Sequence, residues 1–99
     1  MIRGTNPVHI FVIPFDTSIV EKVRVIYKQN NVEVLRKETD DCSLEDDMIG
    51  VKLSQEETML FDHTQNVYAQ LRVLTTEGDS YVSPIMVVSV GECMDKEVI

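Results

Sequence analysis

Residues 22–37 read KVRVIYKQNNVEVLRK, and this stretch decides the fold. Val23, Val25 and Tyr27 alternate with Lys22, Arg24 and Lys28, with only Ile26 interrupting the polar set. A period of two describes a strand with one buried and one solvated face. Asn30-Asn31 then marks a tight hairpin turn, because Asn tolerates positive φ better than other non-glycine residues. Val32 and Val34, with Glu33 and Lys37 interleaved, give the return strand. The hairpin carries five of the chain's nine bases: Lys22, Arg24, Lys28, Arg36 and Lys37.

The same period extends outward in both directions. On the N-terminal side, Val8, Ile10 and Val12 alternate with His9, Phe11 and Ile13, so both faces of this strand are partly apolar. Pro14 ends or bends it, since proline cannot donate to a ladder. On the C-terminal side, Glu38 to Asp47 reads as a loop with six acids and no Lys or Arg. Ile49, Val51 and Leu53 share one face of the next strand. Gly50 lies on the other face, as at a bulge or a close backbone approach.

Ser54-Gln55-Glu56-Glu57 is a capping box, in which Ser54 and Glu57 satisfy each other's amides. It predicts one or two helical turns over Gln55–Leu60 that plug the end of a β core. Val67, Ala69, Leu71 and Val73 alternate with Tyr68, Gln70, Arg72 and Leu74, and Glu77-Gly78-Asp79 makes a turn with glycine in the left-handed position. Tyr81 to Val90 reads as the last long strand. Val82, Met86, Val88 and Val90 lie on one face and Tyr81, Ile85 and Val87 on the other, with Pro84 favouring an edge or a bulge.

Six strands, or seven if the first splits at Pro14, fall within 99 residues with turn signals about every ten residues. There is one short helix and no alternation of strand and helix. The expected fold is a single all-β domain over residues 1–99, an antiparallel immunoglobulin-like β-sandwich in which Glu92–Ile99 frays. There is no Trp, so the Cys-Trp-Cys signature of antibody domains is missing.

Apolar residues make up 43% of the chain and charged residues 26%, a globular balance rather than a disordered one. No apolar run reaches the length of a membrane helix. Seventeen acids against nine bases give a net charge of −8, which argues against nucleic acid and anionic membrane as partners. The short apolar stretch Val8–Ile13 holds His9 and no cleavage site follows it, so no signal peptide is expected. The expected location is the cytoplasm or a particle assembled there.

Chemistry is hard to find. His9 and His63 are the only histidines, and neither accompanies a nucleophile motif. Cys42 lies among acids, which raise a thiol pKa. A disulfide between Cys42 and Cys93 is left open by the spacing, beside two free thiols as the simpler reading. The acidic loop has hard oxygen donors but lacks the D-x-[DN]-x-[DN]-G calcium pattern. No phosphate loop, dinucleotide motif or zinc motif occurs. No catalytic residue, cofactor or metal is therefore expected. The residues singled out for partner contact are the basic hairpin face (Lys22, Arg24, Lys28) and an exposed edge near Ser83 and Pro84. The basic face reads either as a guard against edge pairing or as a docking face for an acidic partner, the acidic loop of a neighbouring copy included.

A resemblance covers most of the chain. Its parts are Pro14-Phe15-Asp16, the strand Val23–Tyr27, the acidic loop, Val51–Thr58, Gln70–Leu74 with Gly78-Asp79, and Ser83-Pro84. Leu53-Ser54-Gln55-Glu56-Glu57 carries most of the weight. With these features the chain resembles small proteins encoded among tail genes of phages and prophages of Firmicutes. It is similar, more loosely, to the immunoglobulin-like N-terminal domain of phage baseplate upper proteins. This sequence departs from those proteins in lacking their long downstream region, which puts a host-adhesion role in doubt. The resemblance implies a non-enzymatic structural or assembly protein of the tail or baseplate, in contact with other phage structural proteins or with itself. The alternative is a β-sandwich binding or adaptor module unrelated to phage.

Overall fold

The computed structural model describes all 99 residues, Met1–Ile99. Eight strands form two antiparallel sheets packed face to face. β1 (Val8–Val12), β4 (Cys42–Glu45) and β5 (Met48–Lys52) make a three-stranded sheet in the order β1-β5-β4. β2 (Val20–Gln29), β3 (Val32–Glu38), β6 (Val67–Thr75), β7 (Ser80–Val82) and β8 (Met86–Val88) make a five-stranded sheet. Its order is β3-β2-β6, with β7 and β8 both paired to β6.

The period-two residues fill the space between the sheets. Val23, Val25 and Tyr27 of β2, and Val67, Ala69, Leu71 and Val73 of β6, face Phe11, Ile49 and Val51 of the other sheet. Leu53 and Phe61 close one end. Each such side chain contributes about 1.5–3 kcal/mol on burial. Cys42 and Cys93 are free thiols.

Asn30 and Asn31 have φ of 48° and 61°, as a two-residue type I′ hairpin requires at both central positions. Gly78 has φ of 89° in the β6–β7 turn. Gly50 sits in an unbroken register, so it marks close approach rather than a bulge: a Cβ there would lie 2.6 Å from Ser43 Oγ. The capping box forms as expected. Ser54 Oγ accepts from Glu57 N–H (3.2 Å), and a Glu57 carboxylate oxygen accepts from Ser54 N–H (2.8 Å). Helix α1 (Gln55–Thr58) is a single turn rather than two.

Three readings need correction. The segment Glu38–Asp47 is not a loop. β3 runs to Glu38, a 3-10 turn spans Thr39–Asp41, and Cys42–Glu45 is strand β4, which carries the chain from one sheet to the other. Second, Lys37 does not lie on the polar face. Pairing slips by one residue beyond Tyr27↔Leu35, and Lys28 then pairs with Glu33, leaving Val34 as the extra residue of a bulge. The shift puts Leu35 and Lys37 opposite Tyr27 and Val25, on the inner face, where Lys37 is only 9% exposed. Its ammonium is neutralised by Glu57 of the capping box, at 2.6 Å.

Third, Tyr81–Val90 is not one strand. β6 pairs with β7 and β8 in registers one residue apart, and Pro84 sits in the break. Val82 and Val87 therefore share the outer face, while Met86 and Val88 turn inward against the core. Glu92–Ile99 forms no strand or helix but returns to α1, where the Gln55 amide donates to Ile99 C=O (3.0 Å) and accepts from Ile99 N–H (2.9 Å).

Candidate protein-binding face

The outer face of the five-stranded sheet is uncovered. On β2 the residues opposite the core set are Lys22, Arg24, Ile26 and Lys28. On β6 they are Tyr68, Gln70, Arg72 and Leu74. Register brings them together in pairs: Lys22 beside Leu74, Arg24 beside Arg72, Ile26 beside Gln70 and Lys28 beside Tyr68. Arg36 joins from β3 opposite Ile26, and Val82 and Val87 join from β7 and β8. Five of the chain's nine bases thus share one face, but not the five of the hairpin: Lys37 has left it and Arg72 has joined it.

Two shallow grooves cross this face. One, of about 290 Å³, is lined by Lys22, Arg24, Glu38, Arg72, Leu74 and Ser80 among others. The other, of about 500 Å³, is lined mainly by Ile26, Lys28, Tyr68, Gln70 and Ile85. The first is a basic slot and the second an apolar one rimmed by a cation.

Two of the five bases are internally engaged. Arg24 bonds Glu38 (3.1 Å) and Arg36 bonds Glu33 (3.0 Å), the latter pair holding the Glu33 carboxyl below its usual pKa. Lys22, Lys28 and Arg72 form no ion pair. Arg24 and Arg72 stand directly opposite across the ladder, and like charges so placed destabilise a sheet. The Glu38 carboxylate, bonded to Arg24 and lining the same groove, offsets part of that repulsion.

Of the residues singled out from sequence, Lys22, Arg24 and Lys28 share one solvent-exposed face of β2, with Ile26 between the last two. Pro84 is exposed in the break between β7 and β8. Ser83 is a correction: it is 6% exposed, and its hydroxyl accepts from Leu71 N–H (3.0 Å) and donates to Pro84 C=O (2.9 Å). It replaces a ladder bond lost at the break rather than meeting solvent. Arg72, Tyr68 and Ile85 were not singled out. The alternation along β6 places Tyr68 and Arg72 on a polar face, but no local signal says that this face lies beside that of β2.

His9 Nδ1 and the fully buried Tyr27 hydroxyl share a hydrogen bond of 2.8 Å. His63 lies on the surface, 3.6 Å from Glu92. Burial, then the neighbouring Asp41, pushes the Cys42 thiol up to about 11, so it stays protonated and a poor nucleophile at neutral pH. The buried Gln29 amide donates to the carbonyls of Asp62 and Gln65 and accepts from Asp62 N–H, pinning the loop after α1. No three His, Cys, Asp or Glu side chains converge on a metal-binding arrangement, those of the acidic segment included. No helix is long and apolar enough to cross a membrane.

The fold and this face define a class: an antiparallel β-sandwich with one open, basic and partly apolar sheet face. No family model, no curated protein and no solved structure matches the chain.

Proposed function

We propose that this protein is a non-enzymatic binding module that docks an acidic protein partner on the open face of its five-stranded sheet. One observation carries the reading. In a chain of net charge −8, unpaired Lys22, Lys28 and Arg72 share a face with Arg24, Arg36 and the exposed Tyr68, Ile85 and Val87. Charge opposite in sign to the whole molecule selects partners and orients their approach. Exposed aromatic and aliphatic side chains beside it supply area to bury. The resemblance to phage tail and baseplate domains gives the narrower form: a structural or assembly component of a phage or prophage tail, with another tail protein as the partner.

The double variant Lys22→Glu/Arg72→Glu tests the reading, because both side chains are exposed and the fold tolerates their reversal. Cross-linking mass spectrometry in the cell of origin should recover an acidic protein with the wild type and lose it with the variant. For the narrower reading that protein is a tail component, and the chain sediments with purified particles. Recovery of the same partners by both forms overturns the assignment of this face.

A further inference from the structure

We infer that β1 is a second interface, through which two copies of this chain pair antiparallel about a two-fold axis at Ile10. A sheet edge invites pairing with another chain, and proteins blunt edges with charge, bulges, proline or brevity. Three of the four edges here are blunted. β3 carries Glu33, Arg36, Glu38 and a bulge. β4 has four residues, ends in Glu45 and is flanked by Asp40, Asp41, Asp46 and Asp47. β7 and β8 have three residues each, with Pro84 between them. β7 and β8 are uncharged too, but short and broken; β1 is uncharged and has no bulge or internal proline, and its five residues run in unbroken register with β5.

The backbone of β1 is open on the outside. Pro7 C=O accepts from Leu53 N–H (3.0 Å) and Ile13 N–H donates to Asp47 C=O (2.8 Å), which fixes the odd-numbered residues as those bonded to β5. In an antiparallel ladder the direction alternates, so the N–H and C=O groups of Val8, Ile10 and Val12 point out of the sheet. Their side chains are 54%, 57% and 66% exposed.

This edge is complementary to itself. Three outward residues centred on Ile10 pair with those of a second copy as Val8 with Val12, Ile10 with Ile10, and Val12 with Val8. That makes about six backbone hydrogen bonds and one continuous apolar ladder of β-branched side chains. Charge selects the antiparallel sense. Lys52 lies beside Val8 at one end, while Asp47 and Asp46 are bonded through their carbonyls to Ile13 and Thr17 at the other. Antiparallel pairing sets each lysine end against the acidic end of the other copy; parallel pairing sets acid against acid. The result is a six-stranded sheet with an isologous contact, the form a closed dimer takes. One strand pair buries less than a standard interface, so the dimer is weak, with Kd on the order of 10–100 μM.

Sedimentation equilibrium over a concentration series tests this, with Ile10→Lys and the binding-face variant Lys22→Glu/Arg72→Glu alongside. The wild type and the binding-face variant dimerise alike, which separates this interface from the one proposed above. Ile10→Lys melts cooperatively and stays monomeric. Hydrogen exchange on the wild type needs no variant: the Val8, Ile10 and Val12 amides slow as concentration rises. A wild type that is monomeric at about 1 mM, a dimer indifferent to Ile10→Lys, or amides that exchange equally fast at all concentrations overturns the inference.

Discussion

β3 and β1 are both edge strands of one sandwich, and they are built oppositely. β3 places Glu33, Arg36 and Glu38 outside and pairs two of them with arginines. Its one inward charge, Lys37, is clamped to Glu57 of α1, so this edge is tied to the end of the other sheet. β1 has no charged residue; its inner side chains His9 and Phe11 enter the core region and its outer ones meet water. The first edge is closed to new strands and stabilised by ion pairs. The second is held by apolar packing, its ladder with β5 and the His9–Tyr27 hydrogen bond, and leaves its outer backbone available. An edge without charge on an otherwise acidic surface is suited to contact with its like.

The contrast is sharpest within β1 itself. Phe11→Ala should cost about 3–5 kcal/mol in chemical denaturation, since it empties a core site between the two sheets. Ile10→Ala, one residue away, should cost far less, about 0.5–1 kcal/mol, because its side chain is more than half exposed. Equal losses at the two positions would show that β1 is covered on both sides.

On the β3 side, Lys37→Ala should cost about 2 kcal/mol, because it strands the partly buried Glu57 carboxylate without its cation. The double variant Lys37→Met/Glu57→Gln should recover most of that loss, since the burial penalty of both charges goes with them. A single variant with wild-type stability would mean that the clamp contributes nothing and that β3 is held as β1 is.

Acid should separate the two edges without any substitution. Burial, then the charge of the Met1 ammonium, keeps the His9 pKa below its ordinary 6.5. As pH falls through 6.5 the unfolded chain binds this proton first, so stability declines from there and levels off below the folded value. The Glu57 carboxyl behaves differently. Burial alone would raise its pKa, but the bonds from Lys37 and Ser54 outweigh it and hold it below 4.5. The stability from that pair persists above pH 4.5 and is lost as pH falls through the folded value. Denaturant midpoints across this range should therefore fall in two steps, His9 first and then the carboxylates, where Asp16, Glu33, Asp62 and Glu92, also held below their ordinary values, add to Glu57. In His9→Asn the upper step disappears.

Much of the fold is legible in sequence. The β2–β3 hairpin, β6 and the Ser54–Glu57 capping box are local patterns, and each formed where its residues placed it. Two of the misreadings lie at a change of phase. Val34 bulges and carries Lys37 inward; Pro84 breaks the last strand and exchanges the faces on either side. A bulge leaves little trace in composition, yet it inverts the faces beyond it. β4 was hidden for another reason. Its four residues sit among acids, and short, polar edge strands carry almost no periodic signal. On the candidate face, Lys22, Arg24 and Lys28 could be named because one strand holds them all. Arg72 and Ile85 could not, because they arrive from β6 and from the break between β7 and β8, far along the chain.

What the sequence alone determined is which way side chains point within a strand, because alternation is imposed by the backbone of that strand and needs no partner. The tertiary structure decided which strands became neighbours and which were left at an edge. It placed β6 against β2, so that two half-polar strands became one basic face, and it left β1 with a single partner, so that an apolar strand became an open edge. Those outcomes depend on closing loops across the whole chain around a shared core, a balance of packing against chain entropy that no single stretch of residues carries.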